Sequence, residues 1–244
     1  MREPPSNRHS SRGARGTNRV DPVRKVAEIS ALAILAIELA VILGRISTSI
    51  DGWRDVVWMV PAAFLGVLLT DFISGVVHWL CDTFGDETTP ILGRHLIAPF
   101  REHHRAPGAM TQHGMLRVNH NNCVGIVIVL GVCLWLDGPE PDGPVFGYTF
   151  LLAFACAVYL TNTIHRWAHQ SQPPAVARWL QRLGLAITAA HHARHHVAGR
   201  GSYCITTGWL NPLLDRSQVL LVLERAGGRR RRAGGRRPMR RIDD

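Results

Sequence analysis

The sequence predicts an all-α integral membrane protein, a helical bundle of about four transmembrane helices with a histidine-rich helical cap on the cytosolic face. Three observations lead to this prediction. Long apolar segments alternate with polar connections. The basic residues are concentrated in alternate connections. The histidines lie in the same connections as the basic residues, at the ends of the apolar segments.

The composition favours a membrane protein over a soluble one. Of the 244 residues, 46% are hydrophobic and 19% are charged, whereas soluble domains carry about 25% charged residues. The net charge of +10 is also typical of nucleic-acid-binding proteins. Here the basic residues flank apolar segments, as they do in membrane proteins, so we predict no nucleic-acid partner. The five cysteines include no CxxC pair, which argues against a zinc knuckle or a disulfide framework.

Changes in composition along the chain indicate three parts. Residues 1–25 are polar and rich in Arg, Pro and Ser, and we predict a disordered basic tail. Residues 26–224 form the predicted membrane domain. Residues 225–244 form a second tail, which is rich in arginine and predicted to be disordered.

Four apolar segments are candidates for membrane spans, and a spanning helix needs roughly 20 apolar residues. The first, second and fourth reach this length, but the third has only 14 residues. The third segment is therefore short, tilted or partly re-entrant. In chain order the segments are 26–46, 56–81, 123–136 and 145–164.

The distribution of basic residues indicates the orientation of the four spans. With an even number of spans, both termini and the long connection between the second and third spans lie on one side. That side carries 26 of the 28 Lys and Arg residues. By the positive-inside rule this side is cytoplasmic. We therefore predict a multi-pass protein of the cell membrane whose termini and histidine motifs face the cytoplasm.

The densest histidine motif is HHARHH at residues 191–196. Residues three and four apart share one face of a helix. His191 is thus paired with His195, and His192 is paired with both His195 and His196. Four clustered imidazoles have few structural uses, so we predict that all four bind metal.

The motif NTIHRWAH places His165 and His169 four residues apart at the end of the fourth span. The same spacing puts two zinc ligands on one helix face in HExxH proteases. The glutamate of that motif is missing here, which argues against a zinc protease. We predict that both histidines are metal ligands.

Two further motifs lie between the second and third spans. His103 and His104 are adjacent, and neighbours on a helix diverge by about 100°, so these two are expected to serve different metals or different roles. His78 and Asp82 are four apart at the membrane boundary. Asp82 therefore belongs to the predicted catalytic site, either as a ligand or as the group that orients a ligand histidine.

The number of histidines favours two metal ions. A single zinc site uses three or four protein ligands, and nine histidines occur in these four motifs. Imidazole suits iron, copper, zinc and nickel. A carboxylate-rich di-iron site would show Glu and Glu-x-x-His pairs, which we do not find in the sequence. His95 and His120 are interpreted as surface or hydrogen-bonding residues.

Together the motifs resemble a known family. The stretches SGVVHWLCDTFG, PFREHHRAPGAMTQH, NTIHRWAH and HHARHHVAGRGSYCITTGWLNPLLD are similar to the lipid desaturase domain of the plasmanylethanolamine desaturases, or CarF-like proteins. The resemblance covers residues 56–224, and the four motifs occur in the family's order. It implies that the membrane domain at 26–224 is a lipid desaturase domain.

The resemblance implies an oxygen-dependent di-iron oxidoreductase, with two Fe ions as cofactors and O2 as co-substrate. It implies that a membrane phospholipid is the substrate, and that an alkyl ether lipid receives the vinyl-ether double bond of a plasmalogen. An electron donor protein is also implied, of the cytochrome b5, ferredoxin or flavoprotein reductase type. Asp82 matches the acidic position after the first histidine of the family. The histidines that match the family's metal ligands are His78, His103, His104, His113, His165, His169, His191, His192, His195 and His196.

Other functions remain open from the sequence. A hydroxylase, or a desaturase of acyl chains, begins with the same hydrogen abstraction and needs the same histidines. A non-enzymatic metal transporter or sensor is a further alternative. A transporter places its ligands near the middle of the membrane, whereas these histidines gather on one face.

Overall fold

The protein is described by a computed structural model that covers residues 21–138 and 144–227. These residues contain helices and no strand, which confirms the predicted all-α class. Of the predicted tails at 1–25 and 225–244, residues 1–20 and 228–244 lie outside the described residues, as does the centre of the acidic connection at 139–143. Residues 22–25 and 225–226 were predicted to be disordered but are helical, because they continue the first and last helices of the membrane domain. The long helices are α1 (Pro22–Thr48), α2 (Trp53–Thr83), α4 (Met115–Asp137) and α5 (Val145–Ala168). The short helices are α3 (Ala98–Arg105), α6 (Ala175–Arg182), α7 (Ala189–Ala198), α8 (Asn211–Ser217) and α9 (Val219–Ala226).

All four long helices are long and apolar enough to cross a membrane, which confirms the four predicted spans. The third segment differs from the prediction, because α4 begins at Met115 and has 23 residues. At 1.5 Å per residue it is about 34 Å long, enough for a hydrocarbon core of roughly 30 Å. Its first turns are polar, and α5 accepts their hydrogen bonds: the amide of Asn119 donates to Thr163 Oγ1 (2.6 Å). The apolar pattern alone therefore predicted too short a helix.

Helix α5 is the centre of the bundle and packs against α1, α2 and α4. Its contact with α2 is close because Gly66 has no side chain: a Cβ atom there would lie 2.6 Å from the carbonyl oxygen of Phe150. One turn later, Thr70 Oγ1 donates to the carbonyl of Phe154 (3.3 Å). This pairing fixes the axial position of α2 against α5, and hence the relative heights of the histidines at their ends.

The end of the bundle away from the histidine motifs is closed by a polar cluster. Arg45 of α1 forms an ion pair with Asp137 of α4 and donates to the carbonyl of Gly138 (2.8 Å). The hydroxyl of Tyr148 donates to Asp137 Oδ2 (2.7 Å). The cluster ties α1, α4 and the start of α5 together at one level.

The segment before α8 runs back along α2 and is held by a buried carboxylate. Asp71 is fully buried, twelve residues before the end of α2. Its Oδ1 accepts from the backbone N–H groups of Thr207 (2.8 Å) and Gly208 (2.9 Å), and its Oδ2 accepts from Leu210 (3.1 Å). An acidic residue inside an apolar helix is costly unless such donors satisfy it. Asp71 therefore anchors the C-terminal part of the cap to the bundle.

Replacing Asp71 should loosen this part of the cap. In Asp71→Asn the side chain keeps its shape, but its NH2 group faces a backbone N–H group. Hydrogen bonds to charged groups contribute about 1.5–3 kcal/mol each, so we expect a lower apparent unfolding temperature in detergent, followed by tryptophan fluorescence. Asp51→Asn, at an exposed position just before α2, is the matched control. Equal unfolding temperatures for the two variants would contradict the anchoring role.

Candidate metal centre

The histidine motifs meet at one end of the bundle, where α2 and α5 end and where α3 and α7 cross them. Eight of the ten predicted histidines and Asp82 gather there in two groups of converging side chains. The five-histidine group consists of His103, His165, His169, His192 and His196. The carboxylate group consists of His78, Asp82, His104 and His195.

The five-histidine group is compact, and its Nε2 atoms point at one another. The Nε2 atom of His192 lies 2.8 Å from that of His165 and 2.9 Å from that of His196. The Nε2 atoms of His196 and His103 are 3.0 Å apart, and those of His169 and His165 are 3.3 Å apart. Within the group, the nearest ligand atoms all lie within 4.8 Å of one another.

These separations fit a set of ligands around one metal ion. With metal–nitrogen bonds of about 2.1 Å, two ligands at right angles are about 3.0 Å apart and two opposite ligands about 4.2 Å apart. Without a shared ion or proton, the lone pairs of facing neutral imidazoles repel each other. The donor set therefore fits a metal that prefers nitrogen ligands.

The side chains of the carboxylate group also converge on one point, and one of the converging atoms is an oxygen. Asp82 Oδ2 lies 3.1 Å from His104 Nε2, 3.3 Å from His195 Nε2 and 3.5 Å from His78 Nε2. The Nε2 atom of His104 is also 3.2 Å from that of His195. The carboxylate of Asp82 therefore points at the same place as three imidazoles, as expected of a side chain that binds the same metal ion.

Backbone carbonyls set the tautomers of two histidines in the carboxylate group. The Nδ1–H of His78 donates to the carbonyl of Tyr203 (3.0 Å), and the Nδ1–H of His195 donates to the carbonyl of Gly201 (2.8 Å). A carbonyl can only accept, so Nδ1 carries the proton and the Nε2 lone pair stays free. Such outer contacts orient metal-binding histidines and increase their basicity.

The local sequence determines the direction of α7. Thr188 caps its start by accepting from the backbone N–H of His191 (3.2 Å), and Gly199 ends it with a φ of +63°, a conformation that favours glycine. The spacing of the motif then turns His192 and His196 toward the five-histidine group and His195 toward the carboxylate group. One helix thus contributes to both groups.

Burial keeps four of the imidazoles outside the spanning helices neutral. The pKa of His103 is lowered to about 2, that of His169 to about 4 and that of His196 to about 3. The pKa of His192 is also far below its usual value. Burial is the main cause, and repulsion from neighbouring histidines adds to it. At neutral pH these rings therefore offer lone pairs to a metal.

Comparison with known proteins shows the family of this chain. Residues 67–233 match the family described as the lipid desaturase domain. The chain belongs to this family. Membership confirms the resemblance found in the motifs and makes the protein an oxidoreductase that acts on lipid. No solved structure matches the chain significantly.

Several characterised desaturases are similar to this chain. A plasmanylethanolamine desaturase of Myxococcus xanthus is 38% identical over 84% of the chain and 72% of its own length. Plasmanylethanolamine desaturase 1 of Mus musculus is 36% identical over 67% of the chain and 62% of its own length. Fatty acid desaturase 4-like 2 of Arabidopsis thaliana, a chloroplast protein, is 35% identical over 68% of the chain and 60% of its own length.

Two predicted ligands of the desaturase lie outside both groups. His191 is turned about 100° from His192 on α7, toward Asn211, whose amide donates to its Nε2 atom (3.2 Å). The same amide donates to the carbonyl of Cys204 (3.0 Å), and Asn211 Oδ1 accepts from the N–H of Cys204 (2.8 Å). His191 is thus part of a hydrogen-bonded support for the segment behind the carboxylate group.

His113 is the second predicted ligand outside the groups, and it lies before the start of α4. It lines a cavity of about 310 Å³ whose wall also includes His103 and His165. Its pKa is lowered from the ordinary value, mainly by burial and further by the charges of Arg117 and Arg24. His113 therefore faces the approach to the five-histidine group.

The residues that position the candidate ligands through backbone contacts were not predicted from the sequence. Asp71 and Asn211 hold the segment whose Tyr203 carbonyl orients His78. Asp215 accepts from the N–H of Ser202 (2.9 Å), which has a φ of +50°. An acidic residue within an apolar span, such as Asp71, is itself a signal of an important site.

Measuring the metal content of variants tests whether the two groups bind metal and whether His113, which lies outside them, does not. We expect purified protein reconstituted with Fe(II) to bind two ions per chain, measured by elemental analysis. His169→Ala and His104→Ala each remove one ligand from a different group and should lower the content by about one ion per chain. His113→Ala should keep both ions. A loss in His113→Ala equal to that in His169→Ala would contradict the grouping.

Proposed function

We propose that this chain is a di-iron, oxygen-dependent desaturase that forms the vinyl-ether double bond of plasmalogens from alkyl ether phospholipids. The observation that carries the proposal is the convergence of eight imidazoles and one carboxylate in two adjacent groups. The groups are neighbours, since the rings of His104 and His196 are 4.8 Å apart between centroids. Imidazole and carboxylate are both suitable ligands for iron in oxygen chemistry.

When bound, the irons supply the oxidising chemistry, in which O2, two electrons and two protons convert –CH2–CH2– to –CH=CH– and two waters. The protein's contribution is to hold the ions, orient the lipid and exclude water. The five-histidine group would hold one ion. His78, Asp82, His104 and His195 would hold the other, with the Tyr203 and Gly201 carbonyls fixing two of these rings.

The height of the site supports oxidation beside the glycerol backbone. His78 lies five residues before the end of α2, and His165 lies three residues before the end of α5. The ligands are therefore within about 8 Å of the helix ends, near the boundary between hydrocarbon and headgroups. The first two carbons of an alkyl ether chain lie at this level. A carbon in the middle of an acyl chain lies deeper and would have to bend back to the site.

The names of the relatives support the same reaction and also support one alternative reaction. The Myxococcus and mouse proteins are named for desaturating plasmanylethanolamine. The Arabidopsis proteins are named fatty acid desaturases, which favours acyl-chain desaturation as the second candidate. A hydroxylase would use the same site. A transporter is disfavoured, because transporters place ligands at mid-membrane between spans.

The charge distribution supports a cytoplasmic site. With four spans, the side that carries the metal centre also carries 26 of the 28 basic residues of the chain, as the positive-inside rule requires of a cytoplasmic face. Electrons would then come from a cytosolic donor of the cytochrome b5, ferredoxin or flavoprotein reductase type.

The proposed reaction is tested by lipid analysis of cells that express the protein and are supplied with alkyl ether lipids. We expect acid-labile vinyl-ether phospholipids by mass spectrometry. They should fall at least about a hundredfold in His192→Ala or His196→Ala, since an iron ligand is lost, and should persist in His95→Ala at equal expression. Unchanged ether lipids together with a new double bond in an acyl chain would overturn the plasmalogen proposal and favour the second candidate.

A further inference from the structure

The cavity in front of the five-histidine group is formed by α3, α4 and α5. Its buried wall includes His103 and His165, and its exposed part includes Glu102 and Arg117. The cavity therefore leads from the surface to two candidate metal ligands. Its volume of about 310 Å³ is at the low end of the range for small-molecule sites, enough for a lipid headgroup and too small for two acyl chains.

Hydrogen bonds from α4 hold the walls of the cavity in place. The amide of Asn122 donates to the carbonyl of Val158 in α5 (2.8 Å). The amide of Asn121 donates to the carbonyl of His95, just before α3 (2.9 Å). Both asparagines also line the cavity. The cavity is thus built into the junction of three elements, and a ligand would meet a preformed site.

The exposed part of the cavity carries one positive and one negative side chain. Arg117 and Glu102 form no ion pair with another side chain in the described part of the protein. Both act electrostatically on His113, as do the charges of Arg24 and Arg166. By contrast, Arg105 on the same surface is already paired with Glu87 (3.3 Å). The cavity thus offers an unused cation and an unused carboxylate.

The cavity also opens at the edge of the membrane region. Arg117 is in the first turn of α4, one of the spanning helices, next to the exposed apolar side chains of Met115 and Leu116. The start of a spanning helix lies at the level of lipid headgroups. The ligand within reach at this position is therefore a phospholipid headgroup.

We propose that this cavity selects a zwitterionic phosphoethanolamine headgroup, with Arg117 binding the phosphate and Glu102 binding the ammonium. The proposal rests on the proposed function, because the selected lipid is the one that is oxidised at the adjacent site. Arginine binds phosphate through two parallel N–H groups. A primary ammonium donates hydrogen bonds to a carboxylate, whereas choline has no N–H donor and an anionic headgroup is repelled by Glu102. Glu102 and Arg117 therefore determine specificity and are not metal ligands.

The test measures lipid binding directly, by native mass spectrometry of the full chain with 1-O-alkyl-2-acyl lipids. The lipids carry ethanolamine, choline or glycerol headgroups. We expect the wild type to prefer the ethanolamine lipid by about tenfold, as for one charge-assisted hydrogen bond. Arg117→Gln should weaken binding of all three lipids. Glu102→Gln should weaken only the ethanolamine lipid and remove the preference. The matched controls Arg105→Gln and Glu87→Gln should behave as the wild type.

Several results would overturn this proposal. One is a preference for ethanolamine that persists in Glu102→Gln, and another is an Arg117→Gln variant that binds like Arg105→Gln. Displacement of the lipid by equimolar soluble phosphoethanolamine would assign the cavity to a soluble ligand. The outcome is separable from the proposed reaction. Selective binding without vinyl-ether formation contradicts the reaction alone, whereas vinyl-ether formation without headgroup preference in binding contradicts this proposal alone.

Discussion

The structure depends on bringing imidazole nitrogens together at one end of a helical bundle. Facing lone pairs about 3 Å apart are unfavourable in a low-dielectric interior, and a shared metal ion removes the repulsion. The ligands come from four helices that are far apart in the sequence, so their convergence relies on packing elsewhere. The Gly66 contact sets the height of α2 against α5, and Asp71 holds the segment that orients His78 and supports α7. The geometry of the site therefore depends on the packing of the bundle.

Much of the fold was predictable because it follows local patterns. Long apolar runs and the one-sided basic residues predicted four spans, and residues 21–138 and 144–227 contain four helices that can span. The length of the third helix was underestimated because the side-chain amides of Asn119 and Asn122 in its first turns donate hydrogen bonds to α5. An apolar run in the sequence cannot show such tertiary contacts. In the sequence, polar residues at the start of a helix cannot be distinguished from a connecting loop until their hydrogen-bond partners are known.

The candidate site was predictable to the level of helix faces and no further. Spacing correctly put His165 and His169 on one face, and the divergence of His103 and His104 matches their placement in different groups. Spacing also paired His192 with His195, although these rings point to different groups. His191 was predicted as a ligand because it lies four residues before His195 and matches a histidine of the family, but its direction depends on Asn211, twenty residues later. The helical repeat predicts which side chains share one face of a helix. It does not predict which of two adjacent metal positions a side chain faces, because that depends on how all the surrounding helices pack.

We propose that each of the two adjacent groups of side chains holds one iron. The most direct measurement is an experimental structure of the iron-loaded protein with anomalous scattering recorded at the iron edge. We expect two iron peaks, one surrounded by His103, His165, His169, His192 and His196, and the other by His78, Asp82, His104 and His195. A single peak, or an iron bound by His113 or His191, would contradict it.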